Sequence, residues 1–136
     1  MLDPNNPIKL ISIRQPFAWA IVAGHKTIEN RTWDTRYRGL LYIHAAGRMH
    51  RTPIKEVERQ SGVAVDRSQL VMGAIIGHVE LVDVITQSSS PWFEGPYGFV
   101  LANATIIKPV PALGRLSIYN APAALVVEPP QGLLDA

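Results

Sequence analysis

The chain has 136 residues, no cysteine, 47% hydrophobic residues and a formal net charge of +2 at pH 7. These values exclude disulfides and thiolate metal sites, and they predict one folded domain over residues 1–136 rather than a disordered chain. The longest apolar run, Phe17 to Ala23, is too short to span a membrane, and the first residues lack the pattern of a secretion signal. We therefore expect a soluble, cytoplasmic protein with no membrane partner.

The charge is distributed unevenly along the chain. Residues 1–60 hold ten of the thirteen Lys and Arg and five of the eleven Asp and Glu, which gives this part a net charge of +5, whereas residues 61–136 carry −3. Such asymmetry is typical of a surface that faces an anion. Scatter of charges over a solvated surface is the alternative interpretation.

The first predicted elements are a strand over Lys9–Ile13, a helix over Pro16–Ala23 and a second strand over Lys26–Trp33. Proline is favoured in the first turn of a helix, and Gly24 is expected to end this one. The first turn of a helix leaves backbone N–H groups without partners, and Gln15 lies beside them. This arrangement suits a carboxylate, a phosphate oxygen or a base carbonyl.

The rest of the chain is predicted to be mostly β-structure. A strand over Leu40–Ala46 precedes a helix that begins at Thr52-Pro53 and ends at Gly62. The remaining predicted strands and strand-or-turn segments are Val71–Ile85, Tyr97–Ala102, Thr105–Lys108, Leu116–Tyr119 and Leu125–Glu128. Residues 1–7 and 129–136 are expected to be loose tails. Several short strands with two helices predict a small α+β domain with a barrel-like sheet.

The candidate site lies in the segment from Gly24 to Trp33. On a regular strand Glu29, Arg31 and Trp33 share one face, and Lys26 lies at the strand entrance. Desolvated charges without partners are costly, so these groups need one another or a ligand. Two interpretations follow: an ion-paired strand with Trp33 in the core, or a binding site.

Cations beside aromatic rings predict an RNA partner, because phosphates contact the cations and bases stack on the rings. We expect single-stranded RNA or a nucleobase in a cationic cleft, with Glu29 or Asn30 reading a base edge. The predicted nucleic-acid-binding residues are Gln15, Lys26, Glu29, Asn30, Arg31, Trp33, Arg36, Tyr37 and Arg38. Trp92 is expected at the surface and Trp19 in the core. No metal or cofactor is predicted, since no His or Cys cluster has ligand spacing.

Three blocks of sequence carry a family resemblance. They are Ser-Ile-Arg-Gln-Pro-Phe-Ala-Trp at residues 12–19, Gly-x-Lys-x-x-Glu-x-Arg-x-Trp at residues 24–33 and Tyr-Arg-Gly at residues 37–39. From about Lys9 to about Pro122 the chain resembles the ASCH (activating signal cointegrator 1 homology) domain family of the PUA-like superfamily. The resemblance implies a PUA-like β-barrel flanked by short helices, and an association with RNA metabolism or transcription coactivation.

The resemblance also implies an enzymatic alternative. Some small ASCH proteins hydrolyse the amide of an acetylated cytidine, and in that case Lys26 would act as base or nucleophile with Glu29 as its partner. Those enzymes have a threonine three residues after the lysine, where this chain has Glu29. A ribonuclease using Lys26 and a protein-interaction module are further alternatives. The roles of His44 and Glu80 are left open, although a single strand histidine is more often structural.

Overall fold

The computed structural model describes residue 3 and residues 5–127. Its strands and helices in chain order are β1 (Pro7–Gln15), α1 (Phe17–Val22), β2 (Ile28–Arg31), β3 (Gly39–Met49), α2 (Ile54–Ser61), β4 (Ala74–Ile85), β5 (Tyr97–Pro111), β6 (Ile118–Pro122) and α3 (Ala124–Val127). A short 3-10 helix over Arg67–Gln69 connects α2 to β4. The predicted C-terminal tail lies outside the described residues, as do residues 1, 2 and 4 of the predicted N-terminal one, whose last residue, Pro7, begins β1.

The six strands form one mixed sheet in the order β2-β5-β4-β3-β1-β6. Strands β1 and β3 are parallel, and every other neighbouring pair is antiparallel. The predicted α+β class is confirmed. The predicted barrel is met only loosely, because β2 and β6 lie at opposite edges and do not pair with each other among the described residues.

Helix α1 packs against the sheet because its residues are apolar on every side, and five of its six residues are buried. Gly77 on β4 permits this contact, since a Cβ atom there would lie 2.7 Å from Cγ1 of Val22. The predicted end of the helix at Gly24 is confirmed, with a positive φ of 84° that favours glycine. Within the described residues, no helix has the length and apolar character needed to cross a membrane.

Two predictions for the C-terminal half were wrong. The predicted strands Tyr97–Ala102 and Thr105–Lys108 are one long strand, β5, with an irregularity between them, because Asn103 adopts a left-handed φ of 54° without ending the pairing with β4. The last predicted strand or turn is instead helix α3, of which Val126 packs, together with the preceding Ala123, against a cluster that includes residues of β1 and β6.

Candidate nucleic-acid interface

A cleft of about 600 Å³ is lined by the end of β1, the start of α1, strand β2, the residues after β3, one side of α2, and Trp92 and Glu94. Its volume lies within the range of about 300–1,000 Å³ that is common for ligand sites. Half-buried aromatic rings and charged side chains both line the cleft. Six of its sixteen lining residues lie between Lys26 and Trp33, more than in any other segment.

Lys26, Glu29 and Arg31 form one ion-paired network on the wall of this cleft, called the cleft network below. The Glu29 carboxylate accepts from Lys26 Nζ at 3.1 Å with one oxygen and from Arg31 Nε at 3.1 Å with the other, which also lies 2.9 Å from Arg31 Nη2. Lys26 Nζ also donates to the carbonyl of Ile28, and Arg31 Nη2 donates to the carbonyl of Ser12 at 2.9 Å. The three charges therefore pair with one another, as the first interpretation expects, and all three also line an open cleft.

The cleft network is largely removed from solvent. The side chains of Lys26, Glu29 and Arg31 are 5%, 13% and 23% exposed. The Lys26 ammonium lies 5.6 Å from the ring centroid of Phe17 and 5.7 Å from that of Trp92, within the range of cation–π contact. Low exposure strengthens the attraction within the network, and it also makes each charge dependent on its partners.

Trp33 follows the end of β2 and lines the same cleft as Glu29 and Arg31. It lines the cleft, is half-buried, and contacts Phe99 edge-to-face at a centroid distance of 5.2 Å. One part of the ring therefore belongs to the core, and another part faces the cleft.

Asn30 is engaged with the protein itself. Its Nδ2 donates to the carbonyl of Trp92 at 2.9 Å, and its Oδ1 accepts from the amides of Glu94 and Gly95 at 2.8 and 3.1 Å. These bonds fix residues 92–95 against β2. The same arrangement buries Trp92, which is 7% exposed, so its predicted position at the surface was wrong.

Gln15 does not reach the cleft. The side chain is fully buried, its Oε1 accepts from the Trp19 amide at 2.8 Å, and its Nε2 donates to the carbonyl of Val71 at 2.9 Å. The expected anion site at the start of α1 is therefore capped by the protein's own amide side chain. Trp19 lies in the core, as predicted.

The turn after β2 also points its charges elsewhere. Arg36 and Arg38 are exposed, and neither lines the cleft. Arg38 donates to the carbonyls of Thr35 and Tyr37 and lies 3.8 Å from the Asp83 carboxylate. Tyr37 donates to a nearby backbone carbonyl and packs against the core, and its burial raises the pKa of the phenol.

The cleft is mixed in charge rather than cationic, which corrects the expectation from sequence. Its three Lys and Arg side chains are matched by three carboxylates. The cationic members are Arg14, Lys26 and Arg31, and the acidic members are Glu29, Glu56 and Glu94. The excess positive charge of residues 1–60 lies largely on exposed side chains outside the cleft, since Arg36, Arg38, Arg48, Arg51 and Arg59 do not line it.

Sequence reasoning missed several residues of the cleft, among them Arg14, Phe17, His50 and Glu94. Arg14 had a usable signal, because strand alternation places it opposite the buried Ile13. The ring of His50 contacts that of Phe17 at 4.8 Å, and this contact depends on β3 ending beside α1. No local pattern predicts it, and the same holds for Glu94.

His44 and Glu80, whose roles the sequence left open, both have hydrogen-bond partners within the protein. His44 is buried and hydrogen-bonds through both ring nitrogens, to Ser12 and to the carbonyl of Ala112. Glu80 is exposed on β4 and accepts from Asn103 at 2.7 Å, outside the cleft. Across residue 3 and residues 5–127, no group of three His, Asp or Glu side chains is placed to hold a metal ion.

Comparison with known families decides the membership of the chain. Residues 11–111 match the model of the ASCH domain, which is most of the chain. The chain belongs to the ASCH domain family. The predicted family is thereby confirmed, and with it the PUA-like fold.

Curated relatives carry the same domain within longer proteins. The chain is 33% identical over 84 residues to activating signal cointegrator 1 of Mus musculus, which covers 57% of the chain and 14% of that relative. It is 26% identical over 140 residues to the Homo sapiens protein of the same name, covering 91% of the chain and 24% of the relative. The chain thus spans a quarter or less of the length of either one.

Solved structures of ASCH proteins share the fold. A crystal structure of a mutant ZmASCH protein from Zymomonas mobilis superposes with a TM-score of 0.54 at 18% identity, covering 98% of each chain. The crystal structure of ASCH from Zymomonas mobilis gives a TM-score of 0.52 at 18% identity, over 92% of this chain and 93% of that one. At this identity the likeness concerns the fold alone.

Proposed function

We propose that this ASCH domain binds RNA, taking a nucleotide of a single strand into the cleft beside Lys26, Glu29 and Arg31. The observation that carries the proposal is that these charges are fixed by one another and still line an open cleft. A network of this kind is pre-organised, so a ligand does not have to order it.

Hydrogen-bond donors remain for a phosphate or a base carbonyl. Arg31 uses Nε and Nη2 for Glu29 and Ser12, and its Nη1 has no partner among the described residues. Arg14 lines the cleft and is exposed, and its side chain makes no hydrogen bond or ion pair with any residue that the structure describes. Guanidinium groups of this kind suit phosphate oxygens, which they bind through two donors at once.

Aromatic surface in the same cleft suits a base. Phe17 and Trp33 are half-buried and both line it. Stacking of a base on an aromatic ring contributes about 1–3 kcal/mol, which is enough to hold one nucleotide when two guanidinium groups bind its phosphates. Membership of the ASCH family supports the same partner, since the resemblance already implied an association with RNA.

A salt titration tests this proposal. With two phosphate contacts, each giving a slope of about −0.7 in log affinity against log salt, RNA binding should weaken about sevenfold between 50 and 200 mM salt. Fluorescence anisotropy with a short unstructured oligoribonucleotide measures the effect. The Arg14→Ala variant should bind more weakly, and its slope of log affinity against log salt should be about 0.7 less negative than that of wild type. Absent binding, or affinity that does not respond to salt, would contradict the proposal.

Arg67→Ala is the matched control for Arg14→Ala. Arg67 is exposed like Arg14 but lies on the 3-10 helix and does not line the cleft. Both changes remove one positive charge, so a general electrostatic effect would weaken the two variants equally. A specific contact in the cleft weakens only Arg14→Ala. The RNA affinities of Arg36→Ala and Arg38→Ala, measured in the same way, show whether the exposed turn after β2 contributes to binding.

A hydrolase is the second candidate, and one observation favours it. Lys26 Nζ lies 3.1 Å from a Glu29 oxygen in the wall of the cleft, the distance expected for a base and its partner. Against it, Lys26 donates to Ile28 as well as to Glu29, an arrangement that suits a donor better than a proton acceptor. Glu80, the other acid considered from sequence, lies outside the cleft.

Turnover assays separate the two candidates. Wild type and Lys26→Met are incubated with acetylated cytidine and with unstructured RNA, and the products are separated by chromatography. Methionine keeps the apolar stem between Phe17 and Trp92 and removes the ammonium. Turnover by wild type that is lost in Lys26→Met would support the hydrolase. Intact RNA binding without turnover of either substrate would leave the binding module.

A further inference from the structure

We infer that Glu94, held in place by Asn30, reads an amino group of the bound base, so that the cleft prefers cytosine over uracil. This inference rests on the proposed RNA binding and assigns the base contact to a residue that the sequence did not single out.

Of the three carboxylates that line the cleft, two are occupied. Both oxygens of Glu29 accept from the cleft network, and Glu56 accepts from Arg59 through both of its oxygens. The side chain of Glu94 makes no hydrogen bond and no ion pair with any described residue, although Glu94 lines the same cleft. A ligand that needs a strong acceptor therefore finds one at Glu94.

Asn30 holds the backbone on both sides of Glu94. Its carboxamide accepts from the amides of Glu94 and Gly95 and donates to the carbonyl of Trp92. The three bonds join β2 to a segment more than sixty residues away in sequence. Asn30 is thus a positioning residue: it fixes the backbone from which Glu94 projects, next to the strand that carries Glu29 and Arg31.

The chemistry of this acceptor favours one pyrimidine. A carboxylate accepts a hydrogen bond from the exocyclic amine of cytosine, whereas uracil presents a carbonyl oxygen at the same position and repels it. The two nucleotides have the same ring size, ribose and phosphate, so the proposed phosphate contacts and base stacking are the same for both. Because Glu94 is exposed to solvent, we expect the low end of such discrimination, about fivefold in Kd.

Short oligocytidylate and oligouridylate RNA of equal length are the probes. Wild type should bind oligocytidylate about fivefold more tightly, and Glu94→Gln should remove this preference because a carboxamide also donates to the uracil carbonyl. Glu80→Gln, an exposed carboxylate outside the cleft, is the control and should keep the preference. The affinity of Glu94→Gln for oligouridylate should not fall.

Asn30→Ala tests the positioning role separately. It should reduce the ratio of the two affinities while the variant stays folded by circular dichroism and keeps the salt dependence of wild type. A merely structural role would lower both affinities together and leave the ratio unchanged.

The outcomes distinguish this inference from the proposal beneath it. If wild type binds neither RNA, the proposed function itself fails. If it binds both equally, or if Glu94→Gln keeps the preference, the domain still binds RNA and the assignment to Glu94 is overturned.

Discussion

Ser12 on β1 joins two polar networks that differ in kind. Its carbonyl accepts from Arg31 and so belongs to the cleft network. Its hydroxyl lies 2.9 Å from His44 Nδ1 and 3.2 Å from the hydroxyl of Tyr119. The two networks thus meet at one residue, yet one is charged and open, and the other, called the histidine network below, pairs hydroxyl, ring and carbonyl groups.

The histidine network is closed. His44 is 1% exposed, and its Nε2 lies 2.7 Å from the carbonyl of Ala112. Because a carbonyl only accepts, Nε2 carries a proton and donates it to Ala112, and Nδ1 is hydrogen-bonded to the Ser12 hydroxyl. Gly114 covers the pair so closely that a Cβ atom there would lie 2.7 Å from Ser12 Oγ and 2.9 Å from His44 Cε1. No room remains for a ligand.

The difference shows which property distinguishes the closed histidine network from the cleft network that is proposed to bind RNA. Burial does not distinguish the two networks, since Lys26 and His44 are both buried. The two networks differ in whether hydrogen-bonding groups without a protein partner remain beside a cavity. His44 has none left, whereas Arg14 and Arg31 keep N–H groups beside the cleft. The variants below test this distinction, starting with the largest expected effect.

Removing Glu29 should damage the cleft network most. Glu29→Ala leaves two largely buried cations without their shared partner, and we expect the free energy of unfolding to fall by about 3 kcal/mol. Urea denaturation measures the change. Glu56→Ala, which breaks the exposed pair with Arg59, is the control and should have little effect. Equal small losses in both variants would show that the cleft network contributes no more than a surface pair.

Crowding the histidine network should have a smaller effect. Gly114→Ala forces Ser12 or His44 to move, at a cost of about 1 kcal/mol in the free energy of unfolding. Gly47→Ala is the matched control, because a Cβ atom at Gly47 would meet nothing within 4 Å. RNA affinity should be unchanged in both variants. A loss of RNA binding in Gly114→Ala would mean that the closed network also takes part in function.

The smallest expected effect concerns His78, which belongs to neither network. It lies on β4 with its ring 5.2 Å from that of Tyr42, and burial lowers the pKa of His78. The unfolded chain therefore binds a proton more readily than the folded one, so stability falls as pH drops through about 6.5 towards the lower folded pKa.

The His78→Phe variant, which keeps a ring against Tyr42, should lose this contribution. Urea midpoints measured at about pH 7.5 and 5.5 should differ more for wild type than for the variant. An identical pH dependence in the two proteins would contradict the assignment to His78.

The parts of the site that follow from local rules were predictable. Strand alternation placed Glu29 and Arg31 on one side of β2, and the glycine at 24 ended α1 where expected. Pro53 and Gly62 likewise bracket α2, with Pro53 as its N-cap and Gly62 left-handed at its end.

The parts that depend on long-range pairing were not predictable. Asn30 appeared free to read a base because its partners lie at residues 92–95, and the burial of Trp92 follows from the same contact. Arg38 appeared to belong to the cleft, but β3 and β4 bring Asp83 towards it. The open sheet likewise follows from the order of the strands, which no local pattern reports.

The most direct test is to follow tryptophan indole signals by NMR while RNA is added. The protein has three tryptophans, of which Trp33 is half-buried and lines the cleft, whereas Trp19 is buried in the core and does not line it. If a nucleotide enters beside the cleft network, the indole resonance of Trp33 shifts with saturation and that of Trp19 stays in place. RNA that binds without moving the Trp33 signal would show that the cleft is not where this domain holds its ligand.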